Sequence, residues 1–208
     1  MKYLNLIIIA IFLAALTMAQ TPVSVAAEAT SSTSMEQNFQ KSKQHFLQKD
    51  MKAAADEIRK GAAYLKSEAD AATGKGKEAL TTSYRELEKL AGDVEKGAVT
   101  SVKKLDTAFA RSYKALATNA HVKSTEAWAK KEINNTGKNM ETAADSLERG
   151  FSWTEEKMKV GTKKVIEESR DLSKKLKEDT GWASDKVSKG LKDMGKEIEQ
   201  FGKRITTK

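Results

Sequence analysis

The sequence predicts an all-α protein, and three observations carry that reading. Past Pro22 the chain has no proline. Ala, Lys, Glu and Leu are plentiful while Val, Ile and aromatic residues are sparse, the reverse of what strands use. Apolar and small residues recur in alternating steps of three and four, the period of a helix that buries one face. Together they predict an elongated antiparallel four-helix bundle made of five helices: one short, two long and repeated, two covering.

The N-terminus reads as a secretory signal peptide over residues 1–27. Lys2 supplies the positive charge, residues 6–16 form an apolar run, and Val25 and Ala27 suit a cut after Ala27, with Ala29 as the neighbouring alternative. The run is shorter than the ~20 residues that a spanning helix needs. Export implies a periplasmic or secreted protein. With no Cys in the chain there is neither a disulfide framework nor a lipid-attachment cysteine, so stability rests on packing. Residues 28–34, small and polar, form a flexible leader, and 35–208 make a single helical domain large enough for a real core.

A short helix opens the domain at 35–48, with Ser34 and Gln37 as a capping box. Asp50 is placed to cap the first long helix, 50–96, and Gly97 to end it. A covering helix follows over 98–131, then the second long helix over 133–179. Thr180-Gly181 stops that helix, and Ser184 caps a final helix ending near 205.

The two long segments carry the same pattern 82 residues apart. The first seam holds Ile58, Leu65, Leu87 and Leu90; the second holds Met140, Leu147, Phe151, Met158 and Leu172. In both, the alternation slips once, at Ser83 to Leu87 and at Val165 to Ser169, a stutter that relaxes a supercoil. A further local match, YRELEKL with SRDLSKK, falls at a shift of 85. The pattern implies an internal duplication with half-repeats at about 35–97 and 117–179. In the bundle so expected, the long helices lie parallel on the diagonal. Ala69, Ala72 and Gly76 then face Phe151, Thr154 and Met158, small against large.

Lys49-Asp50-Met51, followed by Ala54, Ile58 and Gly61, resembles the second half of a tetratricopeptide hairpin. Lys131-Glu132-Ile133, Thr136, Met140 and Ala143 fill the same slots. The resemblance spans about 25 residues per copy, and the expected long helices overrun that motif, so a peptide-binding solenoid is not implied. The composition is also similar to that of apolipoprotein and late-embryogenesis-abundant helices.

Site chemistry is sparse. His45 and His121 are the only imidazoles and the candidates for a metal or haem. No Glu-x-x-His pattern accompanies them, and c-type haem attachment needs Cys. There is no nucleophile motif, and "ATGKGKEA" at 72–79 lacks the spacing of a phosphate loop, reading as a thin part of the helix. The formal net charge of +8 comes chiefly from Lys scattered along every helix, with six Arg. That argues against nucleic acid and for at most a weak attraction to anionic membrane surfaces. Phe46 and Trp128 occupy matching positions and are expected to plug one bundle end. Trp153 and Trp182 are further cap or ligand aromatics.

The expectation is an exported, monomeric or weakly dimeric bundle without catalysis or a cofactor. It acts as an envelope accessory or stress protein that binds other proteins, in a chaperone-like way. A lipid or amphiphile carrier that parts at 69–83 and 154–165 is the alternative. Metal or haem binding through His45 and His121 is the third reading.

Overall fold

The computed structural model describes residues 32–206; the expected signal peptide and residues 28–31 of the leader lie outside them. Among the described residues there are seven α-helices and no strand. They are α1 (Ser32–Leu47), α2 (Met51–Asp70), α3 (Gly74–Glu95), α4 (Val102–Ala129), α5 (Ile133–Ser152), α6 (Val160–Lys177) and α7 (Ser184–Thr206). Residues 32–34 are helical, so Ser34 sits inside α1 and does not cap it. Asp50 caps α2 as expected, its carboxylate accepting from the Ala53 N–H at 3.1 Å.

Neither long helix forms. Each of the two segments folds back into a hairpin. Arg59 of α2 pairs with Glu95 of α3, and Lys177 of α6 with Glu141 of α5 at 2.7 Å. In a continuous helix either pair would stand about 54 Å apart. The first reversal takes 71–73 and Gly74, whose φ of +47° is in the left-handed range that glycine adopts without a Cβ clash. The stretch read as a thinned helix is therefore a turn. The second reversal uses the seven residues 153–159.

The helices close into two four-helix squares. In the first, α1 packs on α2, α2 on α3, α3 on α4, and α4 returns to α1. Lys43–Asp106, at 2.9 Å, ties α1 to α4; Ser83 and Ser112, 3.3 Å apart, mark the α3–α4 seam. In the second, α4 packs on α5, α5 on α6, α6 on α7, and α7 returns to α4. Arg170–Asp145, at 2.7 Å, joins α6 to α5, and His121 reaches the α7 backbone. The 28-residue α4 is thus a wall of both squares. The expected single bundle with two diagonal helices is replaced by two shorter bundles fused along one helix.

The expected small-against-large pairing does not occur. Gly76 lies against Asn119 of α4, while Phe151 packs on Phe201, with ring centroids 4.3 Å apart. Interdigitation is real but uses other partners. A Cβ on Gly150 would sit 2.8 Å from the Phe201 ring, and one on Gly61 would strike the Phe39 ring.

Local geometry recurs at an interval of 82. Lys49 and Lys131 both take a left-handed φ, 63° and 61°, at the C-terminal ends of α1 and α4. Ser42 donates to the Ala54 carbonyl at 3.0 Å, and Ser124 donates to the Thr136 carbonyl at 2.8 Å. Gly97 and Asp179 are again left-handed, at 69° and 51°. Val94 and Leu176, three residues before them, are both buried. The shift of 85 is not followed. The second reversal is four residues longer than the first, and α6 at 18 residues is four shorter than α3 at 22.

Candidate functional site

Two squares that share one wall leave a concavity on each side of it. On one side, α3 and α7 both pack on α4 and make no comparable packing on each other. Close approach is possible because glycines face α4. Gly76 of α3 lies on Asn119, Gly195 of α7 on His121, and Gly202 of α7 on Lys114. Between the two helices runs an open trough of about 1020 Å³. Ala79, Ser83 and Ala115 supply small side chains to its lining, Gly202 leaves bare backbone, and Ile205 adds an apolar side chain. Lys75, Glu78, Glu86, Arg111, Lys114, Glu199 and Lys203 line its flanks with both signs of charge. Arg111 and Glu86 approach each other at 3.9 Å, a weak, solvent-screened pair. Small residues and mixed charges in one lining make a surface suited to an extended or helical polypeptide segment.

The residues singled out from the sequence are scattered over the molecule. Ile58, Leu65, Leu87, Leu90, Met140, Leu147 and Phe151 are buried, all but Met140 in one core cluster that spans both bundles. Met158 and Leu172 are half-buried, Met158 because the second reversal pulls it off a helix. Phe46 and Trp128 do not form a plug. Phe46 belongs to the core cluster that spans both bundles, whereas Trp128 packs edge-to-face on Trp182 at 5.8 Å beside a smaller cluster. Trp182 also donates from Nε1 to Asp179 at 3.0 Å, clamping the end of α6. Trp153 crosses between bundles, donating to Glu36 at 3.1 Å and packing on Phe109 at 5.0 Å.

His45 and His121 are not brought together. Lys43, two residues before His45, pairs with Asp106. From Asp106 to His121, α4 runs a further 15 residues, or about 22 Å. His121 Nε2 donates to the Leu191 carbonyl at 2.9 Å, so that nitrogen is already engaged. Among the described residues no three His, Cys, Asp or Glu side chains gather as metal ligands do. Of the two stretches expected to part around an amphiphile, 69–83 runs along α4 as far as Ser112, 3.3 Å from Ser83, and 154–165 follows Trp153. Thr73 donates to Glu126 at 3.0 Å near one end, and Trp153 packs on Phe109 near the other. Among the described residues no helix is long and apolar enough to cross a membrane.

The trough was not visible in the sequence, because its walls belong to helices that the repeat pattern did not separate. One signal did exist. Gly76, Gly195 and Gly202 lie inside helices, where Gly is unfavourable by about 1 kcal/mol relative to Ala and so marks close approach of another element.

No family model matches the chain, and no curated protein or solved structure matches it either.

Proposed function

We propose that this chain is an exported, non-enzymatic accessory protein of the cell envelope that holds segments of other proteins in the trough along α4. The trough carries the reading. It is open along its length and lined by small residues and charges of both signs. Those properties suit a polypeptide segment better than a compact small molecule, which needs to be enclosed on most sides. The sequence-derived signal peptide supports export. Lys spread over the helices supports solubility beside anionic surfaces.

We further propose that the two bundles descend from one duplicated unit of four helices, the helix between them serving both copies. The recurrence of left-handed turns and Ser-to-carbonyl hydrogen bonds at an interval of 82 supports that origin.

The test is aggregation of an unfolding client. The protein is expected to suppress it at near-stoichiometric ratio. Ala79→Arg, which places a long cation at a half-buried position of the trough lining, should lose most of that protection with an unchanged circular dichroism spectrum. No protection by the native chain at several-fold excess would remove the proposal.

A further inference from the structure

On the other side of α4 lies a second concavity of different character. It is a pocket of about 210 Å³ between α2, α4 and α5. Tyr64, Tyr113, Asn119 and Ser146 line it, although each is more than nine-tenths buried. Asn119 is 3% exposed, and its Oδ1 is turned to Gly76 of α3. Burial also pushes the Tyr64 hydroxyl up to about 12, keeping it a protonated donor.

Arg149 supplies the charge. Its side chain lines the pocket with Lys123, as do Glu68 and Asp145, whose carboxylates are each paired with another cation. Asp145 accepts from Arg170 at 2.7 and 3.0 Å, and Glu148 also pairs with Arg170. Glu68 pairs with Lys123 at 3.7 Å, and Glu36 accepts from Tyr113 and Trp153. Among the described residues no carboxylate lies within ion-pair distance of Arg149, whose partner is the Tyr113 hydroxyl. A guanidinium carries five N–H donors in a planar fork, and one contact leaves most of them free. The acceptor that matches such a fork is a planar carboxylate. At about 30 Å³ per water, the pocket has room for roughly seven waters, a space for about ten non-hydrogen atoms.

We propose that this pocket binds a small carboxylic acid bearing hydroxyl or amino substituents, with its carboxylate on Arg149 and its substituents on Tyr64 and Ser146. The site is separate from the trough and stands whether or not the trough holds polypeptide.

Thermal unfolding and titration calorimetry of the full chain, at constant ionic strength, test it with malate as the probe. Malate is expected to bind at one site and raise Tm by about 2 °C or more at saturating concentration. Phosphate and chloride should do neither. Arg149→Gln should abolish the effect, and Arg149→Lys should weaken binding about tenfold, because charge is kept and the fork is lost. Arg59→Gln, the same charge change on a residue outside the pocket, should bind as the native chain does. Tyr64→Phe offers a second variant should Arg149→Gln fail to fold, with an expected loss of about fivefold. The proposal is overturned by absence of malate binding, by equal binding to Arg149→Gln, by undiminished binding to Tyr64→Phe, or by an equal response to phosphate.

Discussion

Phe39→Ala is expected to destabilise the protein by about 4 kcal/mol, the range found when a fully buried aromatic is deleted. Phe39 is 0% exposed and stacks on Phe109 with centroids 4.1 Å apart and planes within 10°. Tyr113 and Trp153 meet it edge-on, each at 6.2 Å. The ring therefore joins α1 to α4 and to the segment that follows α5, and Gly61 of α2 has no side chain because the ring fills that space. At roughly 2–4 °C per kcal/mol for a chain of this size, the midpoint should fall by about 10–15 °C. Trp153 emission should shift to the red as the site admits water. A loss below about 1.5 kcal/mol would mean that the cluster does not bind the bundles to each other.

The second large effect concerns the shared wall. Ala117 is 0% exposed at the middle of α4. Ala117→Pro removes its N–H donor and drives the ring into the carbonyl of Tyr113, a loss of about 3 kcal/mol or more before packing is counted. Because α4 walls both squares, both should fail together. Near-ultraviolet signals from Trp153, at one end of α4, and from Trp128 and Trp182, at the other, should disappear in one variant. Retention of the Trp128–Trp182 signal alone would show that the second bundle folds without an intact α4.

Much of this fold was legible in the residues, and the losses have a physical cause. The helical class, the Asp50 cap and the stop at Gly97 follow from local chemistry, which acts within one turn. The interval of 82 was visible because a core position constrains side-chain size wherever it recurs. The two reversals were not. A turn of three residues is nearly one helical turn of 3.6, so the spacing of apolar residues passes through 71–73 without losing phase. No proline marks the break, and Gly74 alone signals it. The stutters were read as relaxed supercoil, whereas the seam there belongs to a hairpin arm packing on its neighbour. The second reversal is longer, but the shortening of α6 hides it in the register. The double role of α4 was out of reach for a related reason. Periodicity reports that a face is apolar and not which of two neighbours covers it.

The pocket residues illustrate the same limit. Arg149 looks like any other surface cation in sequence, next to Glu148 and four residues from Asp145. Its isolation follows from Arg170, 21 residues away, which draws both carboxylates to itself. Helical spacing alone would have assigned them to Arg149.

The reversal of the repeated segments is what creates two bundles, the shared helix and both concavities. Spin labels at Lys138 and Lys174, exposed sites on α5 and α6, test it directly by electron–electron distance measurement. Antiparallel packing of the two helices predicts a separation within about 2 nm. A distribution centred near 5.4 nm, the span of 36 residues in one unbroken helix, would contradict the fold described here.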